Sequence, residues 1–242
     1  MAEPLVMIPG LMADARLFLP QLVQLGGARA IHIALPVIGD TVEQMSEGIL
    51  AGLPDTFALL GHGLGGDVAL DIVRRSPERV TRIVLMATDP LAEAPQTAAA
   101  RKQRMVAARA GRLAEAMLDE IPPAALADSE WRAEILALIR DMAFGLGEGV
   151  FIRQSRALQR RPDQQKTMRR VKLPALVIAG ALDTLVPMRR SEFTANLMPF
   201  GKLQVIDGAG HIASLEQPEA VNEVLAAFLS GPVLLRQSVT GG

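Results

Sequence analysis

Residues 56–67 read Thr-Phe-Ala-Leu-Leu-Gly-His-Gly-Leu-Gly-Gly-Asp, and this stretch decides the fold. The apolar run before Gly61 is typical of a short buried strand, and apolar residues at helical spacing follow directly at Val68 and Ile72. Glycines between them let a strand and a helix pass closely, and they permit a positive φ without a steric penalty. The stretch therefore predicts a strand, a sharp turn and a helix, with residue 63 at the apex.

The same residues resemble the nucleophile elbow of the α/β-hydrolase superfamily, whose pattern is Gly-x-Ser-x-Gly between a strand and a helix. Gly61 and Gly65 match the flanking glycines, but Gly63 stands where the family has its nucleophilic serine. The resemblance is to esterases and lipases with a helical cap. It implies an α/β fold with a mostly parallel, doubly wound sheet and helices on both faces.

Two later loops resemble the other parts of the family's catalytic triad. Gly180-Ala-Leu-Asp183 resembles the loop whose aspartate orients the catalytic histidine, and Asp207-Gly-Ala-Gly-His211 resembles the Gly-x-Gly-His loop. The resemblance implies that Asp183 is the acid and His211 the base, in the family's order of nucleophile, acid and base. Asp89 is an alternative acid, because some family members place it after the preceding strand.

Backbone N–H groups complete the expected site. The first predicted strand ends in Pro9-Gly10-Leu11, where the family has a loop that contributes to the oxyanion hole. The resemblance implies that the two donors are the N–H groups of Leu11 and of Leu64, which directly follows the elbow. Because the donors are main-chain groups, the side-chain types at these positions matter little.

Strand patterns are absent between residues 89 and 168, and helical patterns replace them. The predicted helices cover residues 92–120, 128–144 and 148–160. This insert resembles the hydrolase cap, which implies a core of residues 1–88 and 169–242, ending in a loose tail from residue 231, and a cap of residues 89–168. Five apolar residues are expected to line the substrate pocket: Met12, Met105, Trp131, Phe144 and Ile212.

Arginines are frequent in the predicted cap. They include Arg101, Arg104, Arg109, Arg153 and Arg156. A solvated helix face is the ordinary explanation for such charges, and a clamp for a substrate carboxylate is the alternative.

Composition narrows the class of protein. The 242 residues are 50% hydrophobic and allow one large core, and the net charge of −1 indicates no nucleic-acid partner. No cysteine is present, which excludes disulfides and thiolate metal sites, and we expect neither a metal nor a cofactor. No apolar run reaches the roughly 18 residues of a membrane span, and the N-terminus shows no signal-peptide pattern. We therefore expect a cytoplasmic protein with no membrane partner; the sequence does not predict its oligomeric state.

Gly63 leaves three interpretations of the function open. In the first, the protein is a carboxylic-ester hydrolase for a small-molecule ester whose serine has been replaced, so that the chain binds substrate but is inactive or nearly so. In the second, it is a natural protein that binds a ligand without turnover. In the third, His211 and Asp183 form a base dyad in a lyase or a cofactor-free oxygenase. We favour the first, because every other part of the hydrolase machinery is present in the sequence.

Overall fold

The computed structural model describes residues 2–232, and these contain one sheet of six parallel strands. The strands are β1 (Leu5–Ile8), β2 (Ile31–Ile33), β3 (Phe57–His62), β4 (Val80–Met86), β5 (Ala175–Gly180) and β6 (Gly201–Ile206). Their order across the sheet is β2-β1-β3-β4-β5-β6, and every neighbouring pair is parallel. The predicted α/β class with a parallel sheet is confirmed. The tail expected from residue 231 lies almost wholly outside the described residues.

Helices connect the strands. The helices before β4 are α1 (Leu19–Leu25), α2 (Val42–Leu50) and α3 (Leu64–Arg75). Between β4 and β5 lie α4 (Pro95–Arg109), α5 (Leu113–Glu120), α6 (Arg132–Leu146), α7 (Glu148–Gln159) and α8 (Gln165–Met168). The remaining helices are α9 (Met188–Leu197), α10 (Ala213–Glu216) and α11 (Pro218–Ser230). Within residues 2–232, no helix is long and apolar enough to cross a membrane.

The two faces of the sheet bury different side chains. Leu5 and Met7 of β1 belong to one hydrophobic cluster, whereas Val6 and Ile8 belong to the other. This alternation follows from the period of two along a strand. Helices α1 and α11 contribute to the first cluster, and α2, α3 and α9 contribute to the second. The sheet is therefore doubly wound, as predicted.

The segment between β4 and β5 is helical and contains no strand, and the structure describes all of it. Where the sequence predicts one helix over residues 92–120, the structure has α4 and α5, separated at Gly111 with φ +78. A glycine in the left-handed region ends a helix readily, and the surrounding alanines hide that break in the sequence pattern. Met142 and Phe151 of this segment belong to the same hydrophobic cluster as Leu5 and Met7. The division into a core and a separate cap domain stays a prediction.

Candidate active site

Gly63 lies between the end of β3 and the start of α3, with φ +51 and ψ −118. A Cβ on Gly61 would lie 2.3 Å from the carbonyl oxygen of Gly65, and a Cβ on Gly65 would lie 2.0 Å from that of Ile8. Both distances are far below van der Waals contact, so only glycine lets the strand and the helix approach this closely. A Cβ on Gly63 would meet no atom closer than 3.9 Å outside its chain neighbours. The flanking glycines therefore hold the turn, and its apex has room for a side chain.

His211 and Asp183 form a hydrogen-bonded pair. The His211 Nδ1 atom lies 2.9 Å from Asp183 Oδ2, and Asp183 Oδ1 accepts hydrogen bonds from the N–H groups of Leu185 (2.8 Å) and Val186 (3.0 Å). Burial alone would raise the pKa of Asp183, but the hydrogen bonds from His211 and these two amides outweigh it and hold the pKa below its usual value. The carboxylate therefore stays ionised and can orient the imidazole.

Asp89, the alternative acid, makes no contact with His211. Its Oδ1 accepts a hydrogen bond from the Leu91 N–H, and its Oδ2 faces Arg161 and Arg190. The strand order explains this, because the Asp183 loop follows β5, which lies directly beside β6 and the His211 loop. Asp89 follows β4, one strand further away.

The N–H groups of Leu11 and Leu64 are free to bind a ligand. Both residues line the cavity that contains Gly63 and His211, and neither N–H donates a hydrogen bond to any other described residue. Buried amides are otherwise almost always paired. Two unpaired donors beside the elbow match the requirement for stabilising a developing oxyanion.

Gln154 of α7 supports the loop that carries Leu11. Its side chain is fully buried, and its Oε1 accepts a hydrogen bond of 2.8 Å from the N–H of Met12, which has φ +53. Its Nε2 donates a hydrogen bond of 3.0 Å to the Pro36 carbonyl oxygen. One helical side chain thus joins two core loops that are remote from it in sequence. The sequence analysis overlooked Gln154, although a glutamine on the apolar face between Phe151 and Leu158 is a detectable signal.

Glu216, at the end of α10, supports the loop that carries His211. Its Oε1 accepts hydrogen bonds from the N–H groups of Ala127 (2.6 Å) and Gly210 (3.0 Å), and its Oε2 accepts one from Ile212 (2.9 Å). The His211 N–H donates to the Ala125 carbonyl oxygen at 2.8 Å. The histidine loop is therefore bound to the helical segment between β4 and β5. No sequence pattern singles out Glu216, because its partners are backbone groups.

His62, the residue before the apex, is a neutral support for His211. It is 2% exposed, and its Nε2 lies 3.0 Å from the His211 carbonyl oxygen, to which it donates. Burial is the main reason why its pKa falls to about 4, and the nearby His211 lowers it further. The two rings meet edge to face with centroids 5.2 Å apart. His62 therefore stays uncharged at neutral pH and packs beneath the histidine loop.

A cavity of about 450 Å³ lies over the elbow and the histidine loop. The helical segment contributes apolar side chains to its lining: Ile121, Ile139, Met142 and Leu158. No set of three or more histidine, aspartate or glutamate side chains is placed to hold a metal ion anywhere in residues 2–232.

Of the five expected pocket residues, only Ile212 lines this cavity. Met12 is fully buried in the core, and Met105 packs against the hydrophobic cluster. Trp131 and Phe144 are 59% and 55% exposed and lie on outer faces of the helical segment. The expectation for these four is corrected, because helical spacing identifies an apolar stripe but not the surface it faces.

Comparisons with known proteins identify the family of this chain. A family model described as the alpha/beta hydrolase family matches residues 5–224. A pimeloyl-[acyl-carrier protein] methyl ester esterase of Aromatoleum aromaticum is 32% identical over 205 residues, which are 78% of this chain and 80% of that protein. A putative carbamate hydrolase of Agrobacterium fabrum is 30% identical over 183 residues, which are 72% of this chain and 67% of that protein.

Solved structures share the fold. A thermophilic esterase from Thermogutta terrifontis matches with a TM-score of 0.86 at 22% identity, over 95% of this chain and 90% of that one. An enol-lactonase from Burkholderia xenovorans matches with a TM-score of 0.81 at 21% identity, over 96% and 92% of the two chains. The family match extends over all six strands and over the loops of residues 63, 183 and 211, and this chain therefore belongs to the alpha/beta hydrolase family.

Proposed function

We propose that this protein has the site of a carboxylic-ester hydrolase of the serine–histidine–aspartate type, with glycine in the nucleophile position. It binds a small-molecule ester and turns it over slowly or not at all. The observation that carries the proposal is the 2.9 Å His211–Asp183 hydrogen bond, which lies at the same cavity as an elbow with φ +51. The similarity to a methyl ester esterase supports the choice of an ester.

Each remaining group has a defined task in this chemistry. Asp183 accepts the His211 Nδ1–H, which leaves Nε2 as the base that would take the proton of a nucleophile. The Leu11 and Leu64 amides would bind the oxyanion of the tetrahedral intermediate. Loss of a triad nucleophile lowers turnover about a million-fold, although roughly 10³–10⁴ over the uncatalysed rate remains from binding and the oxyanion hole. The chain with Gly63 is therefore nearly inactive.

We also propose that residues 89–168 form a cap over a core of residues 1–88 and 169–242. Helices of this segment supply much of the apolar lining of the cavity, including Ile121 and Ile139. They are also joined to both catalytic loops, through Gln154 and through the contacts of Glu216 with Ala127. The cap would then exclude water from the substrate and also support the catalytic loops.

Restoring the serine tests the proposal. The Gly63→Ser variant should hydrolyse short and medium aryl esters faster than the parent by several orders of magnitude, because only the nucleophile is missing. Gly63→Ala is the matched control, since both variants place a Cβ at φ +51, which costs about 1–2 kcal/mol, while only serine adds a hydroxyl. The nearest atoms at 3.9 Å leave room for either side chain.

The outcomes separate the interpretations. A further His211→Ala change should remove the activity gained by serine. If Gly63→Ser is no faster than Gly63→Ala on any ester, lactone or amide tested, the hydrolase proposal fails.

A base dyad without a covalent step is the second candidate. The observation that favours it is that the His211–Asp183 pair is complete in a chain that has no nucleophile. Such an enzyme would be active with Gly63 in place, on a substrate with an acidic proton, and would lose that activity in His211→Ala. A base-dyad enzyme of this kind should show no ester hydrolysis in Gly63→Ser or in Gly63→Ala.

A further inference from the structure

The charged side chains that line the cavity form two groups of different geometry. In the first, Arg101 lies 2.7 Å from Glu93 and 2.8 Å from Glu120, and Arg104 lies 3.2 Å from Glu120. Two arginines thus meet two glutamates at hydrogen-bond distance, so the charges of this closed group are balanced. Asp119, the neighbour of Glu120 in α5, also lines the cavity on this side.

The second group, called here the open group, consists of Arg161, Arg189, Arg190 and Asp89. Asp89 Oδ2 lies 4.0 Å from Arg161 Nη2 and 3.8 Å from Arg190 Nε, which is beyond hydrogen-bond distance. Among the described residues, the guanidinium groups of Arg189 and Arg190 donate no hydrogen bond, and Arg161 Nε is buried without a partner. The guanidinium groups of Arg189 and Arg190 therefore keep unused hydrogen-bond donors that a ligand in the cavity can engage.

The open group also carries excess positive charge. It contains three arginines, and the only acids within ion-pair distance of them among the described residues are Asp89 and Asp67, whose Oδ2 lies 3.4 Å from Arg161 Nη1. Burial raises the pKa of Asp67 to about 7, although Arg161 opposes the shift, so this carboxyl is only partly ionised at neutral pH. At least one positive charge in the open group is therefore uncompensated.

The open group lies beside the elbow. Asp67, the partner of Arg161, is in the first turn of α3, which starts directly after Gly63. Asp89 follows Ala87 by two residues, and the carbonyl oxygen of Ala87 would lie 3.9 Å from a Cβ on Gly63. A ligand that reaches the elbow therefore has the open group on its β4 side, within the same cavity.

We propose that the open group binds a carboxylate of the substrate, so that the preferred ligands are esters that carry a free carboxylate in addition to the ester. A carboxylate placed between Arg161 and Arg190 would accept hydrogen bonds from planar guanidinium groups that suit it, and it would neutralise the excess charge. The assignment of this ligand as a substrate rests on the hydrolase function proposed above.

Calorimetric titration of the protein with its Gly63 intact tests the carboxylate subsite without any need for turnover. The ligands are monomethyl esters of linear dicarboxylic acids of increasing length, each paired with its dimethyl ester. At low salt the monoester of the best length should bind about tenfold more tightly than its diester, because one charge-assisted hydrogen bond contributes about that much affinity. Added salt should reduce this difference in affinity.

Variants at two arginine positions give the local control. Arg190→Gln should abolish the advantage of the monoester and leave the affinity for the diester unchanged, and Arg190→Lys should restore part of it. The Arg190 side chain is partly exposed and its guanidinium group makes no hydrogen bond with any described residue, so its replacement leaves the fold intact. Arg109→Gln removes the same charge from an exposed position at the end of α4, outside the cavity, and should change neither affinity.

The outcomes also separate this inference from the hydrolase proposal. Equal binding of monoester and diester, no binding of either, or an equal loss in Arg109→Gln would overturn the carboxylate subsite. If Gly63→Ser hydrolyses neutral esters and shows no preference for monoesters, the hydrolase function stands and the subsite falls. If monoesters bind preferentially but Gly63→Ser hydrolyses no ester, the subsite stands and the hydrolase function falls.

Discussion

Glu216→Gln should loosen the histidine loop by a predictable amount. The carboxylate accepts three backbone hydrogen bonds, two at Oε1 from Ala127 and Gly210 and one at Oε2 from Ile212. A glutamine can keep its carbonyl oxygen on the Ala127 and Gly210 side, but its NH₂ group then faces the Ile212 N–H. One bond to a charged acceptor is lost, and the other two become bonds to a neutral acceptor.

The expected loss follows from these bonds. A hydrogen bond to a charged group contributes about 1.5–3 kcal/mol and a neutral one about 0.5–1.5 kcal/mol. Losing one charged bond and weakening two others by about 1 kcal/mol each should therefore lower the unfolding free energy by about 4 kcal/mol. Urea denaturation followed by circular dichroism measures this loss. In the Gly63→Ser background the same change should lower kcat more than it raises KM, because Gly210 and Ile212 flank His211, the proposed base.

Glu223→Gln is the matched control, because Glu223 is exposed on α11 and makes no ion pair with any described residue. Its unfolding free energy should change by no more than about 0.5 kcal/mol. The reasoning about Glu216 would be refuted if Glu216→Gln were as stable as Glu223→Gln, since three buried amides would then not depend on the carboxylate.

Two further predictions concern stability. Gly65→Ala should destabilise the fold by more than about 3 kcal/mol or prevent folding, because its Cβ would lie 2.0 Å from the Ile8 carbonyl oxygen. Gly48 is exposed within α2, and a Cβ there would have no atom within 4 Å, so Gly48→Ala should instead raise the unfolding free energy by about 1 kcal/mol. Urea denaturation of both variants measures these changes, and a stable Gly65→Ala or a destabilised Gly48→Ala would contradict the prediction. The pKa of Asp67 is raised from 3.8 to about 7, so its contribution to stability is present below about pH 4 and is lost as the pH rises through 7. The stability of Asp67→Asn relative to the parent should therefore increase between about pH 4 and pH 7, as measured by urea denaturation at a series of pH values. A difference in unfolding free energy that does not change with pH would contradict the raised pKa of Asp67.

Local sequence was enough to predict the elbow and the sheet. The glycines around residue 63 allow α3 to approach β3, the end of β1 and Thr88 closely, and the density of glycine is visible in the sequence itself. Strand and helix periodicities likewise depend on neighbours within a turn or two, which is why a mostly parallel sheet with helices on both faces could be anticipated. The break at Gly111 was missed, since alanines on both sides are equally good helix formers.

The choice of acid needed the tertiary structure. The sequence offers Asp89 and Asp183 at the ends of successive strands, and both are plausible partners for a histidine. The order β4-β5-β6 decides between them, because it places the loop of Asp183 beside that of His211.

The contacts that support the loops of Leu11 and His211 are likewise decided by packing. Gln154 reaches Met12 across 142 residues of sequence, and Glu216 reaches Ala127 across 89. Such contacts exist only once the helical segment has packed on the core, and no local pattern encodes the partner. Residue types and their short-range spacing thus determined by themselves the fold, the turn at Gly63 and the candidates Asp89, Asp183 and His211. Tertiary structure alone decided three features: the lining of the cavity, the contacts that support the loops of Leu11 and His211, and the open group. Each of them depends on which face of a helix meets which edge of the sheet.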